Sequence, residues 1–290
     1  MAELVFEQAP FPHVVADDVL TQDVYADILR HWPSSSTFTT DPHRTMRIMQ
    51  FAEKFGEFSD EQKRFWAGFF DGPYRQILLR IRQIFAPWLD ARFDGVIPPM
   101  HFDGLMLMEV DQSTDTGANW GFPLHLHYPH DPLWMFTCLI YIDGTEGMTS
   151  GTTLYRPVES PEADLTRAAR AAVHWKWYEI EDSELVVDRE IAFRRNRLFA
   201  MLDGPLSFHA ANMSPEEADR QTTRRILRAH VAAPVDYVEK IYGCDLDEIR
   251  ARFRNGEGLD LVESDIRFFN APRTPDRGSA VDAEINGFPS

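Results

Sequence analysis

Apolar residues change their spacing part-way along this chain. Val24, Ile28, Leu29 and Trp32 recur at helical intervals after Thr21, and Pro33 closes that run. Ser59 followed by Gln62 is a capping-box pair ahead of Phe65, Trp66, Phe69 and Phe70, and Gly72-Pro73 is expected to interrupt the helix they mark. Ile77, Leu78, Ile81, Ile84, Phe85 and Trp88 then trace a core-facing stripe on a further helix. Phe11 to Val15 reads as an opening strand. Residues 1–100 are therefore expected to form a helical extension around one short strand, packed on the core of the protein.

From Leu105 the period becomes that of strands. Leu105 to Val110, Leu124 to His127, Phe136 to Ile142, Thr152 to Tyr155, Arg197 to Leu202 and Ile226 to Val231 have strand length and composition, with glycine-marked turns between them. The pattern predicts a mainly β fold with flanking helices, an antiparallel barrel or jelly roll over residues 101–235. Pro161 to Ala172 reads as a helical insertion. Residues 236–290 read as a helical segment, with helices through Tyr237 and Ile241 and from Leu246 to Phe253. Beyond Pro272 the composition is that of a disordered tail.

Composition narrows the function classes. The 290 residues carry 29 Lys and Arg against 46 Asp and Glu, a formal charge of −17, which has the wrong sign for nucleic acid or an anionic membrane. A small-molecule or peptide substrate is the expected partner, with oligomeric state left open. Cys138 and Cys244 form no paired spacing, so neither a disulfide framework nor a thiolate zinc site is indicated. No basic, apolar leader opens the chain and no apolar run has membrane-spanning length, so a cytoplasmic location is expected.

Histidine placement carries the chemistry. On a strand, His125 and His127 project from one face, so both imidazoles can occupy neighbouring corners of one metal site. His209, directly after the apolar strand Leu198 to Leu202, is the candidate third ligand. A three-nitrogen set with open positions suits non-haem Fe(II) that must also bind substrate and O2. His130 and Asp131 fall in the following loop, Asp131 being an alternative ligand if it swings back. A lone histidine is more often structural, and on that ground His13, His31, His43, His101, His174 and His230 are set aside.

Arg224, Arg225 and Arg228 follow on one strand, Arg224 and Arg228 on one face and Arg225 on the other. A buried guanidinium near a metal points to a carboxylate ligand, because its planar fork matches two oxygens. Arg224 is the first candidate for that pairing and Arg225 the second. Tyr141 and Thr137 share a strand face and are candidates to hydrogen-bond a co-substrate, or equally to pack in the barrel. Residues 191–230 carry seven Lys or Arg against four acids, a cationic strip in an acidic chain. Trp120, Tyr128 and Trp134 flank the histidine pair and are candidate pocket walls. Cys138 sits mid-strand in an apolar run, where a thiolate is disfavoured.

In this order the motifs resemble the Fe(II)- and 2-oxoglutarate-dependent oxygenases, in their prolyl-hydroxylase-like branch. Pro10-Phe11-Pro12-His13-Val14-Val15 is similar to that family's entry strand, and Thr137 to Ile142 to the strand after its metal pair. Gly151-Thr152-Thr153-Leu154-Tyr155 is similar to its Gly-Thr-x-Leu-Tyr strand, Arg195-Asn196-Arg197-Leu198-Phe199 to its lead into the distal histidine, and Arg224-Arg225-Ile226-Leu227 to its closing strand. The resemblance implies a double-stranded β-helix (jelly-roll, cupin-like) core and Fe(II) held by His125, His127 and His209. It also implies 2-oxoglutarate paired with Arg224, and O2 consumed to oxidise a small molecule or peptidyl side chain, with hydroxylation the expected outcome. One departure stands out: where the family has His-x-Asp-x-Pro, this chain has His125-Leu126-His127-Tyr128-Pro129. That leaves a working three-histidine site, a site completed by Asp131 or water, or a degenerate one. A three-histidine dioxygenase without 2-oxoglutarate and a non-catalytic barrel that has lost its metal stand as the alternatives.

Overall fold

The computed structural model describes residues 2–40, 46–93, 95, 97–102, 104–111, 121–127, 133–158, 167–168, 172, 180, 184–204, 206–212, 217, 223–254 and 285–286. The chain opens with β1 (Val5–Glu7), β2 (His13–Ala16), α1 (Gln22–His31), β3 (Thr39–Thr40) and β4 (Met46–Gln50). Then come α2 (Phe51–Lys54), α3 (Asp60–Phe69), a π-helical turn (Phe70–Tyr74) and α4 (Arg75–Arg92). The β-rich part holds β5 (Met100–Phe102), β6 (Met106–Asp111), β7 (Gly121–His125), β8 (Trp134–Gly144), β9 (Thr152–Pro157), β10 (Leu185–Ile191), β11 (Arg197–Leu202), β12 (His209–Asn212) and β13 (Thr223–Ala232). After it lie α5 (Val235–Tyr242), α6 (Leu246–Arg254) and β14 (Ile285–Asn286).

Two sheets form. The larger runs β1-β2-β11-β8-β13-β6-β4-β3, with β5 also on β13 and β14 on β5; the smaller runs β10-β9-β12-β7. From β6 to β13 the chain passes back and forth between them: β6, β8, β11 and β13 lie in the large sheet, and β7, β9, β10 and β12 in the small one. All pairings among these eight strands are antiparallel. This winding is a double-stranded β-helix, a jelly roll whose two sheets face each other.

Side-chain alternation divides the large sheet between two environments. Phe136, Cys138, Ile140 and Ile142 of β8, with Leu227, Ala229 and Val231 of β13, join the main core against the helices. Ile77, Leu78, Ile81, Phe85, Trp88 and Leu89 supply α4's side of that core, and the Phe85 and Phe136 rings meet at 5.8 Å. The intervening residues of the same strands face the small sheet. Cys138 is on the helix side, where burial pushes its thiol up to about 12, so it holds no thiolate.

The first hundred residues depart from the expectation of helix around one strand. Four strands there extend the large sheet at both ends, β2 on β11 and β4 on β6, satisfying backbone groups that β11 and β6 would otherwise leave unpaired. They are short, so alternation along the chain marks them weakly. Gly72-Pro73 does not break the helix either: the wider π turn carries the chain from α3 into α4 and accommodates the missing proline N–H. The Ser59–Gln62 capping box forms at the start of α3. Ile285–Asn286 pairs in parallel with Met100 and His101, where a disordered tail is expected. The rest of that tail and most of Pro161 to Ala172 lie outside the described residues. No helix among the described residues is long and apolar enough to cross a membrane.

Asn196 ties the amino-terminal elements to the barrel. Its φ is 59°, a left-handed conformation that asparagine tolerates better than most side chains. Its side chain accepts from the Leu20 N–H at 3.0 Å and donates to the Leu20 carbonyl at 2.8 Å, while its own N–H donates to the Tyr141 carbonyl. Asn196→Ala removes two buried hydrogen bonds, leaves the Leu20 groups unpaired and places alanine at positive φ. The expected cost is about 2–4 kcal/mol, read from chemical denaturation; an unchanged midpoint would refute the clamp.

Candidate metal centre

Strand pairing builds the centre. His125 ends β7, His209 begins β12, and the two are direct partners across the small sheet. His127 follows two residues after His125. The ring centroids lie 4.2 Å apart for His125 and His209, 4.7 Å for His127 and His209, and 5.2 Å for His125 and His127. All three rings are buried, and each offers a nitrogen within 4.8 Å of the other two.

Hydrogen bonds assign two of the tautomers. His209 Nδ1 lies 2.9 Å from the Ser207 carbonyl, which only accepts, so Nδ1 carries the proton and Nε2 is the bare nitrogen. His127 Nδ1 lies 2.8 Å from Asp203 Oδ1, with the same consequence. Burial, with His127 and Arg228 nearby, holds the His209 pKa well below the usual histidine range, against a weaker opposing effect of the Ser207 carbonyl. A buried neutral imidazole with Nε2 exposed is a metal donor, and three side by side suit a divalent transition ion. The donor chemistry therefore fits the Fe(II) that the resemblance implies.

The three imidazoles line a cavity between the sheets. Its walls are largely apolar, with Met108, Val110, Leu139, Met201 and Ile226 among them. Arg224 also lines it, as do Tyr141, Thr152 and Arg228. Arg224 is 1% exposed; its Nη1 donates to the Ser150 and Gly151 carbonyls at 3.0 and 3.2 Å, and its Nε has no partner among the described residues. No described carboxylate forms an ion pair with it. Burial lowers its pKa, with Tyr141 and Glu217 opposing, yet a guanidinium stays charged. Beside it, the Tyr141 and Thr152 hydroxyls share a hydrogen bond of 2.7 Å. Gly151 allows this corner to close: a Cβ there would stand 1.9 Å from the Ile191 carbonyl oxygen.

The other anticipated residues divide. Arg225 turns to the helix side, where its Nε donates to the buried Glu109 at 3.2 Å and its guanidinium covers Trp32, so it is not available to a ligand in the cavity. Trp32, Ser35 and Arg47 complete the Glu109 carboxylate, which fixes Arg225 in place. The cationic strip is likewise mostly spent on the surface: Arg194 and Arg197 pair with Asp17, and Arg195 with Asp143. Thr137 lines the cavity, but its hydroxyl is engaged with Asp203, His127 and His230 rather than open to a co-substrate. Trp134 stacks on His230 at 3.7 Å and meets the His127 ring edge-on at 5.2 Å. Asp131, Trp120 and Tyr128 lie outside the described residues.

Two residues of the centre carry no clear signal in the sequence. His230 lies two positions past Arg228, so the alternation that paired Arg224 with Arg228 also turns it toward the cavity side. Asp203 was hidden because an acid between an apolar strand and Gly204-Pro205 looks like an ordinary turn residue. With His127 they form a second buried group of three potential metal donors.

No family model and no curated protein matches the chain. Among solved structures it is similar to a 2OG-Fe(II) oxygenase-family oxidoreductase from Burkholderia pseudomallei, at 10% identity over 76% of this chain and 84% of that one, TM-score 0.38. A Pseudomonas putida prolyl-4-hydroxylase is 11% identical over 77% of this chain and 92% of its own, TM-score 0.41. HygX from Streptomyces hygroscopicus, solved with nickel and 2-oxoglutarate bound, is 9% identical over 76% and 82% respectively, TM-score 0.44.

His13 and His230 share with His209 a pKa lowered mainly by burial. Unfolding releases each to the ordinary value of 6.5, so below that pH the unfolded chain binds protons that the folded one does not. Metal-free protein should therefore lose stability as pH falls from 6.5 to 5.5, by up to about 1.4 kcal/mol per pH unit for each histidine. Urea midpoints at pH 7.5, 6.5 and 5.5 check this, and a flat series would contradict it.

Proposed function

We propose that this chain is a non-haem iron oxygenase that uses 2-oxoglutarate and O2 to oxidise, most simply to hydroxylate, a small molecule or a peptidyl side chain. One observation carries the reading: a single, largely apolar cavity has three buried imidazoles on its wall together with a buried guanidinium that forms no ion pair with a described carboxylate. A metal and an anionic co-substrate would answer both features at once. The chain's acidity, spread around this one cationic corner, favours a small anion over a polyanion.

The roles of the residues follow from their chemistry. His125, His127 and His209 would hold Fe(II) through nitrogen donors from one side. Arg224 would bind the distal carboxylate of 2-oxoglutarate with its fork, and the Tyr141 and Thr152 hydroxyls beside it can orient the same group. Met108, Leu139, Met201 and Ile226 line the cavity and, with ligand bound, would help exclude water and strengthen that pairing. Once bound, iron and 2-oxoglutarate together supply the capacity to use O2 on an unactivated C–H bond.

A second reading, a three-histidine metal dioxygenase that needs no 2-oxoglutarate, is favoured by a ligand set that, among the described residues, is three histidines without a carboxylate. Arg224 separates the two. Anaerobic protein reconstituted with Fe(II) and then given O2 should convert 2-oxoglutarate to succinate, and His209→Ala should abolish the conversion. Arg224→Lys keeps the charge and loses the fork, and should weaken 2-oxoglutarate binding about 30-fold or more. Iron binding without any effect of 2-oxoglutarate on turnover or thermal stability would favour the second reading.

A further inference from the structure

Around His127 the buried polar groups form one connected set with a single consistent proton assignment. Asp203 is fully buried and accepts at both oxygens, from His127 Nδ1–H at 2.8 Å and from the Thr137 hydroxyl at 2.8 Å. A hydroxyl has one proton, so with Thr137 donating to Asp203 the 2.9 Å contact to His230 requires His230 Nδ1–H to donate to the Thr137 oxygen. Trp134, stacked at 3.7 Å, holds the His230 ring in that orientation. Every proton placed this way turns His127 Nε2 bare toward His125 and His209. Asp203 forms an ion pair with no Lys or Arg among the described residues, so its charge is directed at His127.

We propose that Asp203 is the positioning residue of the metal centre, returning through His127 the negative charge that a histidine in place of a carboxylate ligand removes. The inference rests on reading the three histidines as a metal site. A carboxylate on Nδ1 fixes the tautomer, orients the ring and makes Nε2 a stronger donor, and such partners commonly contribute about 10- to 100-fold in metal affinity. The centre then has three imidazoles against the ion and its anion one bond further out. Thr137 holds that anion in register, and His230 fixes the Thr137 hydroxyl in turn.

Co(II) titrated into metal-free protein, followed by calorimetry and visible absorption, tests the proposal. Wild type should bind one Co(II) per chain. Asp203→Asn should bind it about 10- to 100-fold more weakly with an altered absorption spectrum, and its iron form should have a raised Fe(III)/Fe(II) potential. Thr137→Val, which keeps the charge and loses one donor, should lose less affinity and leave the potential nearer wild type. It also provides a readout if Asp203→Asn does not fold, since wild-type affinity and spectrum in folded Thr137→Val would refute a held anion. Equal affinity and potential in wild type and folded Asp203→Asn would overturn the role of Asp203 while leaving the metal site standing. No Co(II) bound by wild type would overturn the metal reading itself and this proposal with it. Binding lost in His230→Ala but kept in His209→Ala would place the ion among His127, Asp203 and His230 instead, and would also overturn it.

Discussion

The pairing of β12 with β7 is the constraint on which the site depends. It sets His209 opposite His125, two residues far apart in the chain, at a ring separation of 4.2 Å. A slip of one residue would turn one of them to the other face of the sheet. The small sheet has four strands, and only by closing against the large sheet does it become a buried wall. The large sheet is in turn held by helices on its far side and by Asn196, which fastens the segment between β2 and α1 to the barrel. A local histidine geometry is thus maintained by burial spread over the whole molecule.

Charge is arranged as sparingly as the geometry. Several arginines around the barrel are matched to carboxylates: Arg194 and Arg197 to Asp17, Arg195 to Asp143, Arg47 and Arg225 to Glu109. Arg224 breaks that habit. It is retained in a low-dielectric corner against the cost of burying a cation, offset in part by two backbone carbonyls and by the nearby Tyr141 and Glu217. Asp203 is the complementary case, an anion buried against a histidine and a threonine. Arg224 lies on the cavity wall, as does Arg228, and Asp203 reaches the cavity only through the His127 and Thr137 side chains that line it.

Much of this was legible along the chain. The strand run from Leu105, the helical stripe of α4 and the opposite facing of Arg224 and Arg225 are local periodicities, and each corresponds to a local structure; His125 and His127 share one site although β7 ends at His125, short of the expected strand through His127. The opening strand read over Phe11 to Val15 corresponds to β2, but β1, β3 and β4 were not legible, because short strands at a sheet's ends are stabilised by the backbone groups they pair with rather than by their own pattern. Nor was the π turn at Pro73, where packing carries the helix through a residue that ordinarily ends one.

By itself the sequence determined which residue types stand on which face of each strand, since alternation follows from backbone geometry and needs no partner. Only the tertiary structure decided which of those faces meet. Arg225 and Arg224 are neighbours of one chemistry, yet Glu109 across the sheet claims one in an ion pair and backbone carbonyls at the cavity receive the other. Asp203 and His230, ordinary in the sequence, stand beside His127 because three strands distant along the chain converge there. Such convergence depends on the register of every strand at once, and no local pattern encodes it.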